Sequence, residues 1–158
     1  MAGFAAVCLC GAVSVASAQE AKDAAFGEAQ RHLPARALVV PFVLDDDTAQ
    51  LVAALDEMGF VAFGGIGYEG VVSDGEVVTR ELATRPRAAV ALAWLVVHGR
   101  PAARLYAYWA LRRVDPIAAR GHRPRLGKDA TSVLTVTGCV GRTETVGVGV
   151  RLAERRGF

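Results

Sequence analysis

The segment from Arg87 to His98 constrains this chain more than any other, because its centre, AAVALAWLVV, is apolar on every side. A helix with no polar face has to be buried among other elements. At ten residues it is too short to cross a bilayer. Gly99 stops it, and Pro101 suits the first turn of a following helix. In that second helix, Pro101–Val114, the residues Ala102, Leu105 and Trp109 share one face, flanked by Ala110 and Val114. Arg100, Arg104, Tyr108 and Arg112 recur at intervals of four on another face. A joint as short as Gly99-Arg100 predicts that 87–98 and 101–114 form an antiparallel helical hairpin, with Trp94, Leu95, Leu105 and Trp109 in its core.

Around this hairpin the pattern is mixed. ALVVPFVL, residues 37–44, is apolar but interrupted by Pro41, which predicts an extended segment near 38–44 packed on the core, or an edge strand. Asp45, Asp46 and Asp47 suit the N-cap and first turn of a helix whose apolar positions are Leu51, Ala54, Leu55 and Met58. After a strand-like FVAF, the glycines of residues 64–70 predict a turn, and Glu76–Thr84 predicts a short helix that closes before Pro86. Asp115-Pro116 ends the second hairpin helix, and Gly121–Asp129, GHRPRLGKD, reads as a basic loop. SVLTVTGCV alternates and predicts an extended segment near 132–140. The tail from Glu144 is ambiguous: TVGVGVRL alternates like a strand, yet Val146, Val150 and Ala153 also line one helical face. The fold class expected is therefore a mainly α domain over 37–158.

No charged side chain occurs from Met1 to Gln19, and Ala16 and Ala18 stand two apart at the end of an apolar run. That pattern predicts a secretory leader over 1–18 with an A-x-A cleavage site, export to the periplasm or beyond, and a flexible arm over 19–36. An uncleaved anchor or a buried N-terminal helix are the alternatives for the same residues. Cleavage removes Cys8 and Cys10, so Cys139 is left without an intrachain disulfide partner. After the leader, no further span is expected. The net charge of +2 hides an asymmetry: 12 acidic against 4 basic residues over 19–81, and 4 acidic against 14 basic over 82–158. Two halves of opposite sign are expected to attract each other within one domain, and the alternative is a basic half that meets an anionic partner.

Several constellations bear on chemistry. Gly65-Ile66-Gly67-Tyr68-Glu69-Gly70 has the spacing G-x-G-x-x-G, but a dinucleotide site needs a helix opening inside the motif, and a turn-rich run follows it instead. The three aspartates lack calcium-loop spacing, and three scattered histidines with one cysteine lack zinc spacing, so no cofactor is expected. Cys139 with His98 or His122, oriented by Asp115, would make a thiolate–imidazole pair. The strongest remaining pattern is cationic. Arg100, Arg104 and Arg112 interleave with Tyr108, and Arg120, Arg123, Arg125 and Lys128 follow, giving 8 basic residues and 1 acid over 100–128. Guanidinium groups bind phosphate and carboxylate bidentately and stack on tyrosine.

Gly67-Tyr68-Glu69-Gly70, Arg104-Leu105-Tyr106-Ala107, Leu111 with Asp115, and Thr137-Gly138-Cys139-Val140 together resemble a loosely defined family of uncharacterised bacterial proteins. Many of its members are exported, and one is encoded beside microcin biosynthesis genes. The resemblance runs from about Phe60 to Val150 and implies a small helical domain ending in an amphipathic helix, where this chain carries Gly147 and Gly149. It supplies no catalytic residue. The expected function is that of an exported, non-enzymatic protein whose basic face binds an anionic envelope component or an acidic protein, with no nucleic acid as partner. A cell-envelope enzyme with Cys139 as nucleophile and an immunity-type helper for a secreted peptide are the alternatives.

Overall fold

A computed structural model describes residues 36–155. The leader expected over 1–18 and the arm expected over 19–36, apart from Arg36, lie outside the described residues. Among the described residues there are six helices and a four-stranded mixed sheet, with 57% of the residues helical. Helix predominates, as expected, but the sheet is a full structural layer and not a pair of short extended segments. No helix among the described residues is long and apolar enough to cross a membrane.

Residues 38–44 form no strand. They bend at Pro41 and Phe42, with Leu38, Phe42 and Leu44 packed on the core and Val39 and Val43 turned outward. Helix α1 (Asp46–Asp56) starts where the acids predict. Asp45 is its N-cap, and the Asp45 carboxyl accepts a hydrogen bond from the Thr48 N–H at 2.9 Å. That bond and the one from the Thr48 hydroxyl hold the Asp45 carboxyl below its ordinary range. The buried residues of α1 are Thr48, Val52, Leu55 and Asp56; of the expected apolar positions Leu55 and Met58 are buried and Leu51 and Ala54 half-buried.

Strand β1 (Phe60–Ile66) runs through the strand-like FVAF and on into the first three residues of the segment 64–70 expected to turn. Gly64, at φ 82°, absorbs an irregularity in the pairing between Ala62 and Ile66, so the strand continues past its glycines. The turn itself is short and leads into β2 (Val71–Val72), antiparallel to β1. Helix α2 (Asp74–Thr84) is capped by Ser73, whose Oγ accepts from the Glu76 N–H. Helices α3 (Ala88–His98) and α4 (Pro101–Val114) lie within a residue of their expected bounds and pack on each other.

Of the expected core residues Leu95, Leu105 and Trp109 are buried and Trp94 is half-buried, but the helix buried on every side is α4 and not α3. α3 buries one stripe, Ala88, Ala91, Leu92, Leu95 and Val96, and leaves Val90 exposed and Trp94 half-buried. α4 is the central helix, buried from Ala102 through Leu111 apart from Arg104, and it contacts every other helix as well as the two inner strands. The physical reason is its alanines. Ala102, Ala103, Ala107 and Ala110 let neighbours approach on all sides, while its arginines sit where their long stems reach outward.

Helix α5 (Pro116–Leu126) replaces the basic loop expected over 121–129. Asp115 both ends α4 and caps α5, accepting from the Ile117 and Ala118 N–H groups at 3.1 and 3.0 Å, with Pro116 in the first turn. Strands β3 (Ser132–Gly138) and β4 (Val140–Thr145) form an antiparallel hairpin whose turn holds Gly138 at φ 56°. β3 also lies parallel to β1, giving the order β2-β1-β3-β4.

Helix α6 (Val146–Arg155) resolves the ambiguous tail. Val146, Val150 and Ala153 are all buried, which is the helical alternative of the pattern. Its glycines are there for closeness. A Cβ on Gly147 would stand 2.6 Å from the Gly127 carbonyl oxygen, and one on Gly149 would stand 2.5 Å from the Leu105 Cδ1.

This contrast generates a test. Alanine at either position gains about 1 kcal/mol of helix propensity. At 147 it meets backbone, which cannot swing aside, so Gly147→Ala is expected to destabilise by about 1–3 kcal/mol in urea denaturation. Gly149→Ala, which meets only the end of a leucine side chain, is expected to cost less. Equal or reversed effects would contradict the packing of α6 on the end of α5.

Candidate functional site

Five of the eight residues of the expected basic face are engaged within the protein. Arg100 lies 3.7 Å from Asp56, a buried carboxylate that also accepts from the Arg36 guanidinium at 2.6 and 2.9 Å and from the Arg100 N–H at 2.7 Å. This clasp joins the end of α1 to the α3–α4 joint, and Arg36 also donates to the His98 carbonyl at the end of α3. Arg104 forms an ion pair with Asp129 in which both side chains are largely shielded. The Tyr108 hydroxyl is buried and donates to Glu154 at 2.9 Å, and Arg112 donates to the Ala153 carbonyl at 3.2 Å. Arg123 bonds both oxygens of Glu154, at 2.8 and 3.0 Å.

These contacts set the local electrostatics. The hydrogen bonds from Arg123, against some burial, hold the Glu154 carboxyl below the ordinary range, helped by Tyr108 and Arg112. Burial pushes the Tyr108 phenol up to about 12, reinforced by Glu154. Burial alone would raise Asp129, but the hydrogen bonds from Thr131 and the charges of Arg104 and Arg125 outweigh it and leave its carboxyl lowered. The acidic half therefore does not answer the basic half as a whole. Among the described residues it pairs with Arg85, through Asp47 and Glu81, and with Arg100, through Asp56. Arg104 and Arg123 are answered by acids of their own half.

The remainder of the face is on and just after α5. Arg120, Arg125 and Lys128 are exposed, and none makes an ion pair with a carboxylate among the described residues. Three of the four carboxylates of the second half are committed, Asp115 to the α5 cap, Asp129 to Arg104 and Glu154 to Arg123. Arg113, outside the expected set, is exposed beside Trp109, 5.9 Å from its ring centroid.

A second feature was not legible from spacing. A cleft of about 330 Å³ opens between α6 and one face of the sheet. Val61, Phe63 and Leu105 form its apolar wall, Leu152 closes it from α6, and Arg142 and Glu144 line it from β4. One oxygen of Glu144 is fully shielded from solvent and accepts no hydrogen bond among the described residues.

The thiol is elsewhere. Cys139 is exposed in the β3–β4 turn, beside the Gly67 turn that donates to the Gly138 carbonyl at 3.0 Å. His98 ends α3 with its ring against Trp94, and His122 lies on α5. No hydrogen bond among the described residues links Cys139 to either histidine or to Asp115. No three His, Cys, Asp or Glu side chains among the described residues come together as a metal site needs.

The lowered Glu154 carboxyl has a definite pH consequence. A carboxyl whose folded pKa is depressed stabilises the fold above its unfolded pKa, about 4.3, and loses that contribution as pH falls through the folded value. Glu154→Gln is therefore expected to melt lower than the wild type at pH 7 and to converge on it as the pH falls below about 4.3, followed by circular dichroism. Parallel melting curves across that range would contradict the Arg123–Glu154–Tyr108 linkage.

Compared with known proteins, the chain matches no protein-family model, no curated protein and no solved structure.

Proposed function

We propose that this is an exported protein that works by binding, and that it holds an anionic envelope component through α5. The observation that carries the reading is the set of exposed cations Arg120, Arg125 and Lys128, left over after the acids around them are spent on internal partners. Three guanidinium or ammonium groups around one helix end suit phosphate or carboxylate groups presented on a surface. The uncharged leader and its A-x-A site support export. The resemblance to a family with many exported bacterial members agrees with that setting. In this reading α3 and α4 are the antiparallel hairpin that their two-residue joint calls for, and α5 stands out from it as the contact element.

Binding of this kind is electrostatic, screened by salt and additive in cations. The test is co-sedimentation of the full chain with vesicles containing phosphatidylglycerol, against vesicles of phosphatidylcholine alone. Each cation near an anionic surface contributes about 1 kcal/mol. The double variant Arg120→Gln/Arg125→Gln is expected to weaken association roughly 30-fold at low salt, with a control of the same net charge, Arg80→Gln/Arg155→Gln, losing much less. Equal losses would mean diffuse charge and contradict a site on α5. Failure to bind anionic vesicles, or equal binding to neutral ones, would overturn the envelope reading and leave an acidic protein as the partner to seek.

A further inference from the structure

The cleft between α6 and the sheet has a charge pattern that the anionic-surface reading does not use. Along β4, residues 140, 142 and 144 point to one side of the sheet, opposite Thr137, Thr135 and Val133 of β3. Val61 and Phe63 of β1 continue that same face. Arg142 and Glu144 therefore stand side by side on a wall that is otherwise largely apolar. They do not neutralise each other: neither takes part in an ion pair among the described residues.

We propose that this cleft binds a free α-amino acid with an apolar side chain. The ammonium group would donate to Glu144, the carboxylate would accept from Arg142, and the side chain would lie on Phe63, Leu105 and Leu152. A ligand with a single charge answers only half of the pair: an amine leaves Arg142 beside a positive group, and an acid sets its carboxylate against Glu144. A zwitterion answers both. The volume, about 330 Å³, is at the small end of ligand pockets and suits one residue better than a peptide. The Thr135 hydroxyl is already donated to the Arg142 carbonyl at 3.2 Å, which fixes β3 against β4 at the floor of the site.

Isothermal titration calorimetry of the full chain with L-phenylalanine tests this, with phenethylamine and 3-phenylpropionate as the single-charge analogues. One saturable site is expected for phenylalanine, with each analogue weaker by roughly tenfold or more. Glu144→Gln is expected to weaken phenylalanine to a similar degree while leaving the unfolding temperature unchanged or higher, because the lost oxygen had no partner. Arg142→Gln, at an exposed position, carries the same test if Glu144→Gln does not fold. No binding of phenylalanine, phenethylamine binding as tightly as phenylalanine, or unaltered binding by both variants would each overturn the assignment. None of these results bears on vesicle binding through α5.

Discussion

The open edge of β1 is closed by three side chains, the Tyr106 phenol, Ser73 and Glu76, and the rest of the structure is arranged around that closure. β2 has two residues and pairs only with Gly65 and Ile66, so the outer side of β1 from Phe60 to Gly64 has no neighbouring strand. Backbone groups buried without partners are costly enough that a fold supplies partners for nearly all of them. Here they come from side chains. The Tyr106 hydroxyl accepts from the Ala62 N–H at 2.9 Å and donates to the Ala62 carbonyl at 3.1 Å. Ser73 donates to the same carbonyl at 3.0 Å, and Glu76 accepts from the Gly64 N–H at 2.8 Å. Burial pushes the Tyr106 phenol above its ordinary pKa, which keeps the proton it needs for this role. Gly75 makes room, since a Cβ there would fall 2.4 Å from the tyrosine ring.

Because Tyr106 points into the sheet, α4 must sit at the centre, and its charged residues then have to be satisfied at its flanks. That geometry explains why Arg104 meets Asp129, why Tyr108 meets Glu154, and why Arg112 reaches the end of α6. Asp129 and Glu154 are consumed in this way, and Arg120 and Arg125 of α5 are left facing solvent. The cleft has the same origin. α6 packs on α4 through Gly149, which meets Leu105, and the gap it leaves against β4 holds Arg142 and Glu144.

Much of the helical framework was legible. Proline, glycine and capping residues marked α1, α3 and α4, and strict alternation marked β3. The failures have particular causes. The first half of strand β1, FVAF, read as a strand, and its continuation to Ile66 was hidden because Gly64 and Gly65 read as turn residues, whereas Gly64 absorbs an irregularity inside the strand. Helix α5 was hidden because Gly121 and Pro124 read as breakers. Asp115-Pro116 was the available signal, since an aspartate before proline is a helix start as readily as a helix end. Tyr106 appeared only within a short motif, although it lies four residues after Ala102 and three before Trp109 and so completes the 0, 3, 4, 7 face of Ala102, Leu105 and Trp109. No local rule identifies a residue buried for its hydroxyl. The pairing of Glu154 with Arg123, and the cleft over β4, depend on contacts between residues far apart in the chain, where periodicity carries no information.

Hydrogen exchange at the Ala62 and Gly64 amides tests the central closure most directly. If Tyr106 and Glu76 complete the open edge of β1, both amides exchange as slowly as those of β3, which is paired on both sides. Exchange at the rate of an unpaired edge, with β3 still protected, would mean that the phenol does not hold β1 and that the central position of α4 has another cause.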